Sequence, residues 1–169
     1  MPLLKEKPMP NLRIVLHVLS LFWLGIMAGF FWTYSVNVSQ VMAKMDGATY
    51  AIVQSALNRG VRHAMFFVFF FGPPLWCALT LVADWRAYRK SWWWLLLVAA
   101  VIYTLGIIFF TSQVNLPNNT YTESWNPQQL PTDWEATRDN WRHANHWRVL
   151  SSAVAFLLAA CSLACRPRP

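Results

Sequence analysis

The run Trp92-Trp-Trp-Leu-Leu-Leu-Val-Ala-Ala-Val-Ile-Tyr-Thr-Leu-Gly-Ile-Ile-Phe-Phe110 gives way, one residue later, to Ser112-Gln-Val-Asn-Leu-Pro-Asn-Asn-Thr120. The first stretch carries no charge and approaches the roughly 20 residues an α-helix needs to cross hydrocarbon. The second is crowded with amides and hydroxyls, which hydrocarbon penalises heavily unless they are paired or wet. Their junction therefore marks a membrane face. A second polar cluster, Asn145-His-Trp-Arg148, abuts another apolar run in the same way.

Residues 14–36, 64–83 and 149–164 join 92–110 to make four candidate spans. Composition agrees: 56% of the 169 residues are apolar and 12% charged, whereas soluble domains carry about 25% charge. Trp32, Trp85 and the Trp92–Trp94 triplet fall at segment ends, where an aromatic belt forms. The net charge of +7 is spread along the chain, which fits a positive-inside membrane protein and argues against nucleic acid as a partner. Cys77, Cys161 and Cys165 lie within or at the end of apolar runs without CxxC spacing, and read as small fillers. The first apolar run lacks a small-residue cleavage site, so an uncleaved helix is expected rather than a signal peptide.

The basic residues orient the chain. Lys5, Lys7, Arg13, Arg86, Arg89, Lys90, Arg166 and Arg168 fall on one side with Glu6 and Asp84, while the other side holds six basic residues against five acids. Both termini are expected to be cytoplasmic, with connections 37–63 and 111–148 outside, in a multi-pass protein of a bacterial inner membrane. Residues 1–169 are expected to form one membrane domain. The fold class is all-α: a transmembrane four-helix bundle whose partner is the lipid bilayer, with assembly into homo-oligomers left open.

Two local features refine this picture. The second connection starts with the Asn-Leu-Pro-Asn-Asn turn and passes Pro127 and Pro131, which predicts an irregular Trp- and Pro-rich chain. Thr132 and Glu135 then match a capping box, and no Gly or Pro follows until Pro167. The fourth helix should run from about 133 to about 165, roughly 50 Å at 1.5 Å per residue. It must project beyond the membrane. Pro73-Pro74 is expected to kink the second span.

On the projecting helix Trp134, Arg138, Trp141, Asn145 and Arg148 recur at spacings that place them on one stripe. Such a stripe needs polar partners opposite, either as a cap that pins the connection or as a ligand-facing surface. A second stripe holds Glu135, Asp139, His143 and His146, and with His63 it offers weak candidates for metal ligation. A solvated helix face is the stronger reading there, because no ExxH or HExxH pattern occurs. Asn58 and Arg59 form a further polar pair beside the membrane, and the run from Phe66 to Phe71 can line a cavity for a flat apolar ligand. No Ser-His-Asp order, P-loop, GxGxxG or haem-attachment motif is present.

These residues resemble those of the anthrone-oxygenase-like family, small four-helix membrane proteins. The resemblance rests on Trp32-Thr-Tyr-Ser-Val36, Gln54-Ser-Ala-Leu-Asn58-Arg59 and Phe70-Phe-Gly-Pro73. It is most specific at Val114-Asn-Leu-Pro-Asn-Asn119 and at Trp141–Arg148. The chain departs from the pattern at Val38-Ser-Gln-Val-Met42, which lacks a proline, and at His63, where asparagine is expected. Fungal members of the family are associated with oxidising anthrones to anthraquinones. The resemblance thus implies a membrane oxygenase acting on a flat hydrophobic aromatic, an anthrone or quinol, without a cofactor. Anthrones carry an acidic methylene whose carbanion reacts with oxygen without a metal. In that reading His146 is the base, with Arg148, Asn115, Asn119 and Asn145 holding the enolate oxygen. Trp141, Trp134, Arg138, Asn58, Arg59 and Phe66 would contact the substrate. Two alternatives stay open: a non-catalytic carrier of a quinone or lipid, and a metal oxidase using His63, Asp139, His143 and His146.

Overall fold

The computed structural model describes residues 12–167, so Lys5, Glu6, Lys7 and Arg168 of the charge balance lie outside the described residues. The chain is all-helical, and four of its helices are long and apolar enough to cross a membrane. It is a multi-pass membrane protein. We number five helices: α1 Leu12–Met42, α2 Gly47–Gly60, α3 Ala64–Ala83, α4 Ser91–Glu123 and α5 Trp134–Ala164. The short α2 is additional to the four spans. A 3-10 turn, Trp85–Ala87, joins α3 to α4.

The bundle packs α5 against α4 and α1, and α3 against α1 and α4. Its core holds Leu24, Met27, Phe31, Phe70, Cys77, Leu96, Tyr103, Ile107, Ala155 and Ala159, all buried. Small residues bring backbones close, as helices in lipid require. At Gly72 a Cβ would collide with the Trp23 indole, so only glycine lets α3 approach α1 there. Pro73 and Pro74 lie inside α3, which stays helical through both. Pro74 cannot donate to the carbonyl four residues back, that of Phe70. The Tyr103 hydroxyl of α4 donates to that carbonyl instead, at 2.9 Å. Tyr103→Phe is expected to cost about 1 kcal/mol, read as a lower unfolding midpoint in detergent; an unchanged midpoint would mean that the carbonyl finds another donor.

The third span departs from expectation. Instead of ending near residue 110 in an irregular turn, α4 continues to Glu123. It does so through two π-helical stretches, Thr104–Phe109 and Thr111–Asn115. Pro117 then sits in the first turn of the α-helical stretch that follows, where a missing N–H does least harm. The Asn-rich segment is thus helical, and Asn115, Asn119 and Thr122 share one of its faces. Only residues 124–133 form the irregular loop, and Trp125 from it is buried against Tyr50.

α5 runs unbroken over 31 residues, as the absence of Gly and Pro foretold. Its start differs from the capping box. Asp133 is the cap residue, with no side-chain bond to a helix amide. Its carboxylate instead accepts from the Tyr121 hydroxyl at 2.9 Å, tying α4 to α5. At α2 the cap is conventional: Asp46 accepts from the Thr49 amide at 3.0 Å, which holds its carboxyl below the usual range.

Candidate functional site

A cavity of about 270 Å³ opens where α1, α2, α3, α4 and α5 meet at one end of the bundle. Its polar lining includes Asn58, Asn119, Asn145, Arg148 and Tyr34, and its apolar walls include Phe30, Phe66 and Trp141. Local features of α1, α5 and α4 position most of these groups. A π-helical turn in α1, Tyr34–Val38, adds a residue to one turn and places Tyr34 on the wall, with Ser35 buried beside it. Such turns are frequent at functional sites. From α5, Trp141, Asn145 and Arg148 project as the predicted stripe. From α4, the long helix delivers Asn119, whose Oδ1 accepts from Trp141 Nε1 at 2.8 Å.

Arg148 sets the electrostatics of the cavity. It is 9% exposed, and among the described residues no carboxylate pairs with it. Its Nη2 donates to Asn145 Oδ1 at 2.7 Å, and Asn145 Nδ2 donates to Ser35 Oγ at 2.6 Å. The guanidinium lies over the rings of Phe31, at 5.0 Å, and Trp141, at 5.4 Å. Its Nε has no hydrogen-bond partner among the described residues. Aromatic faces offset only part of the cost of a buried cation. The site is therefore electropositive inside apolar walls and can take an anionic or strongly polarised oxygen. A firm amide network frames it: Gln54 Nε2 donates to Asn58 Oδ1 at 2.9 Å, and Thr122 Oγ1 stands 3.5 Å from Asn58 Nδ2.

Several residues singled out in the sequence stand elsewhere. Trp134 and Arg138 continue the α5 stripe beyond the cavity, where Trp134 packs on Tyr50 with the Arg138 guanidinium over its ring. Arg59 is exposed and bonds back to Ser55. Asn115 is fully buried with neither side-chain atom paired among the described residues, and it does not line the cavity. His146 is exposed beside His143, with ring centroids 6.5 Å apart, and also does not line the cavity.

The weak metal candidates do not converge. His63 caps α3, its Nδ1 accepting from the Phe66 amide at 3.3 Å. Asp139 pairs with Arg138 and Arg142. Among the described residues no three metal-ligating side chains are grouped to hold an ion. Tyr34, Ser35 and the α2 residues Ala56, Leu57 and Gly60 escaped the sequence reading as site residues. The π-turn that brings in Tyr34 and Ser35 has no signature in composition, and the three α2 residues look like ordinary helix surface.

Fold and site together define a polytopic helical membrane protein with an electropositive, aromatic-walled pocket at the end of its bundle. The profile of the anthrone oxygenase family matches residues 65–158, more than half of the chain. The protein belongs to that family, as the motifs suggested, and an oxygenase-like function holds at the level of the family. Searches of curated proteins and of solved structures each found no match.

Proposed function

We propose that the protein oxidises a flat hydroxylated aromatic of the anthrone or quinol type, bound in the Arg148 cavity. The observation that carries this reading is a buried guanidinium that no carboxylate among the described residues pairs with, inside apolar walls that also carry three amides. An enolate or phenolate supplies the missing charge, and its rings fill the aromatic walls. For an anthrone, loss of the methylene proton leaves an electron pair delocalised onto the ring oxygen, where Arg148 stabilises it. The carbon then bonds to dioxygen and, after protonation, becomes a hydroperoxide. That intermediate sheds water as the new carbonyl forms. Methylene and dioxygen thus become carbonyl and water.

Among the described residues no imidazole or carboxylate lines the cavity. We therefore assign the first proton to solvent, with the pocket selecting the ionised substrate, and do not route it through the exposed His146. The same feature supports a second reading, a carrier that binds a quinol or quinone without turning it over.

The test is oxygen uptake by purified protein in lipid vesicles supplied with dithranol, a dihydroxyanthrone. Catalysis predicts uptake above the spontaneous rate and proportional to protein, rising with pH as the substrate ionises. Binding without added uptake would leave the carrier. His146→Ala should keep its rate within about threefold, whereas a loss of about 100-fold would restore the imidazole as base.

A further inference from the structure

Helix α2 is built inside out. Its buried face carries Tyr50 and Ala51 at the N-terminal half and then three polar residues: Gln54 donates to Asn58, Ser55 accepts from Arg59, and Asn58 reaches Thr122 of α4. Its exposed positions are mostly apolar: Ile52 is 57% and Leu57 37% exposed, and Ala48, Ala56 and Gly60 also face outward. A helix lying on a protein in water shows the reverse arrangement. Polar groups turned in and apolar groups turned out suit a helix whose outer face touches lipid. α2 leads into α3 through only three residues, so it lies at the end of an apolar span. The exposed Arg59, near the C-terminal end, is placed to reach headgroups.

The cavity opens on this same side. Ala56, Leu57, Gly60 and Val61 line it together with Phe30 and Phe66, which begin the apolar flanks of α1 and α3. A Cβ at Gly60 would meet nothing within 4 Å, so the mouth is open there. The volume, about 270 Å³, falls just below the range of ligand pockets, typically about 300–1,000 Å³. It accommodates a compact ring system and leaves no space for a long substituent.

We propose that α2 lies within the membrane leaflet at the pocket end, and that the ligand enters sideways from lipid past Ala56, Leu57 and Gly60. The oxygenated head goes in towards Arg148, and any apolar chain trails through the mouth into the leaflet. The substrate class is therefore a membrane-dissolved amphiphile with a planar oxygenated head, for which an alkyl chain is no obstacle. The ligand's chemistry rests on the reading above; the placement of α2 does not.

Two measurements test this. In protein carrying Cys161→Ser and Cys165→Ser, with Cys77 buried, a spin label is attached at Ala56→Cys in vesicles. Val98→Cys, on the exposed side of α4, and Lys44→Cys, in the connection before α2, give the lipid and water references. The label at 56 should relax more with oxygen than with a water-soluble nickel chelate, as at 98. Behaviour like that at 44 overturns the placement, whatever the protein's activity. Gly60→Trp should slow oxidation of vesicle-dissolved dithranol at least about tenfold by filling the mouth, while Leu157→Trp, on the exposed side of α5, leaves it unchanged. An unchanged rate in Gly60→Trp overturns the route. Absent turnover in the wild type overturns the oxygenase reading instead, and the route is then read from dithranol binding in the same two variants, with the same outcomes expected.

Discussion

Arg148→Met is expected to lower dithranol turnover at least about 100-fold, roughly 2.7 kcal/mol of transition-state stabilisation. In the proposed reaction the guanidinium would face developing oxyanion charge in a site walled by Phe30, Phe66 and Trp141, where the low-polarity surroundings strengthen the interaction. Methionine keeps much of the length and apolar stem, so the walls hold their shape. Stability separates this role from that of a structural cap. Removing a cation that no carboxylate among the described residues pairs with removes its desolvation cost of several kcal/mol, which offsets the lost charged bond to Asn145, worth about 1.5–3 kcal/mol. The variant should therefore unfold no earlier than the wild type. A cap predicts the opposite, with activity falling only as folded protein is lost. Arg148→Lys should recover part of the rate, since it restores charge without the planar donor fork.

The largest stability effect is expected at the other end of the bundle. There Asp84 is 6% exposed and pairs with Arg166 at 2.7 Å, whose side chain is 10% exposed. Arg13 approaches the same carboxylate at 3.5 Å but is 58% exposed, so its contribution is small. The Arg166 guanidinium also covers Trp92 at 4.8 Å and lies 3.2 Å from His17 Nδ1. One carboxylate thereby ties the end of α3 to the start of α1 and the end of α5. Asp84→Asn leaves the buried Arg166 without its anion and should cost about 3–5 kcal/mol, measured by denaturant titration in detergent. Asp84→Asn combined with Arg166→Met should recover much of that loss, because no unpaired charge is then buried. Wild-type stability in the single variant would show that the pair is solvated.

These two ends were not equally legible. The Asp84 cluster gathers residues more than 60 positions apart in sequence, and the charge pattern assigned them only to a common side. The Arg148 stripe, by contrast, was written locally: its spacing along one unbroken helix fixed that Trp141, Asn145 and Arg148 would share a face. What they face could not be read the same way. The Pro117 segment looked like a turn because proline usually ends a helix; a π-stretch shifts the hydrogen-bonding register just before it and lets α4 continue. That continuation carries Asn119 to Trp141 and leaves Asn115 beside the cavity's lining rather than in it.

His146 shows the same limit from the other direction. It neighbours Asn145 in sequence, yet a step of one residue turns roughly 100° around a helix, enough to move it from pocket to surface. Hydropathy by itself determined the four spans and the all-helical class, since hydrocarbon tolerates no unpaired backbone, and the absence of Gly and Pro between Pro131 and Pro167 determined the long last helix. Only the tertiary structure decided which polar side chains converge, because convergence depends on π-turns, helix rotation and the inverted face of α2, none of which leaves a periodic trace in the chain.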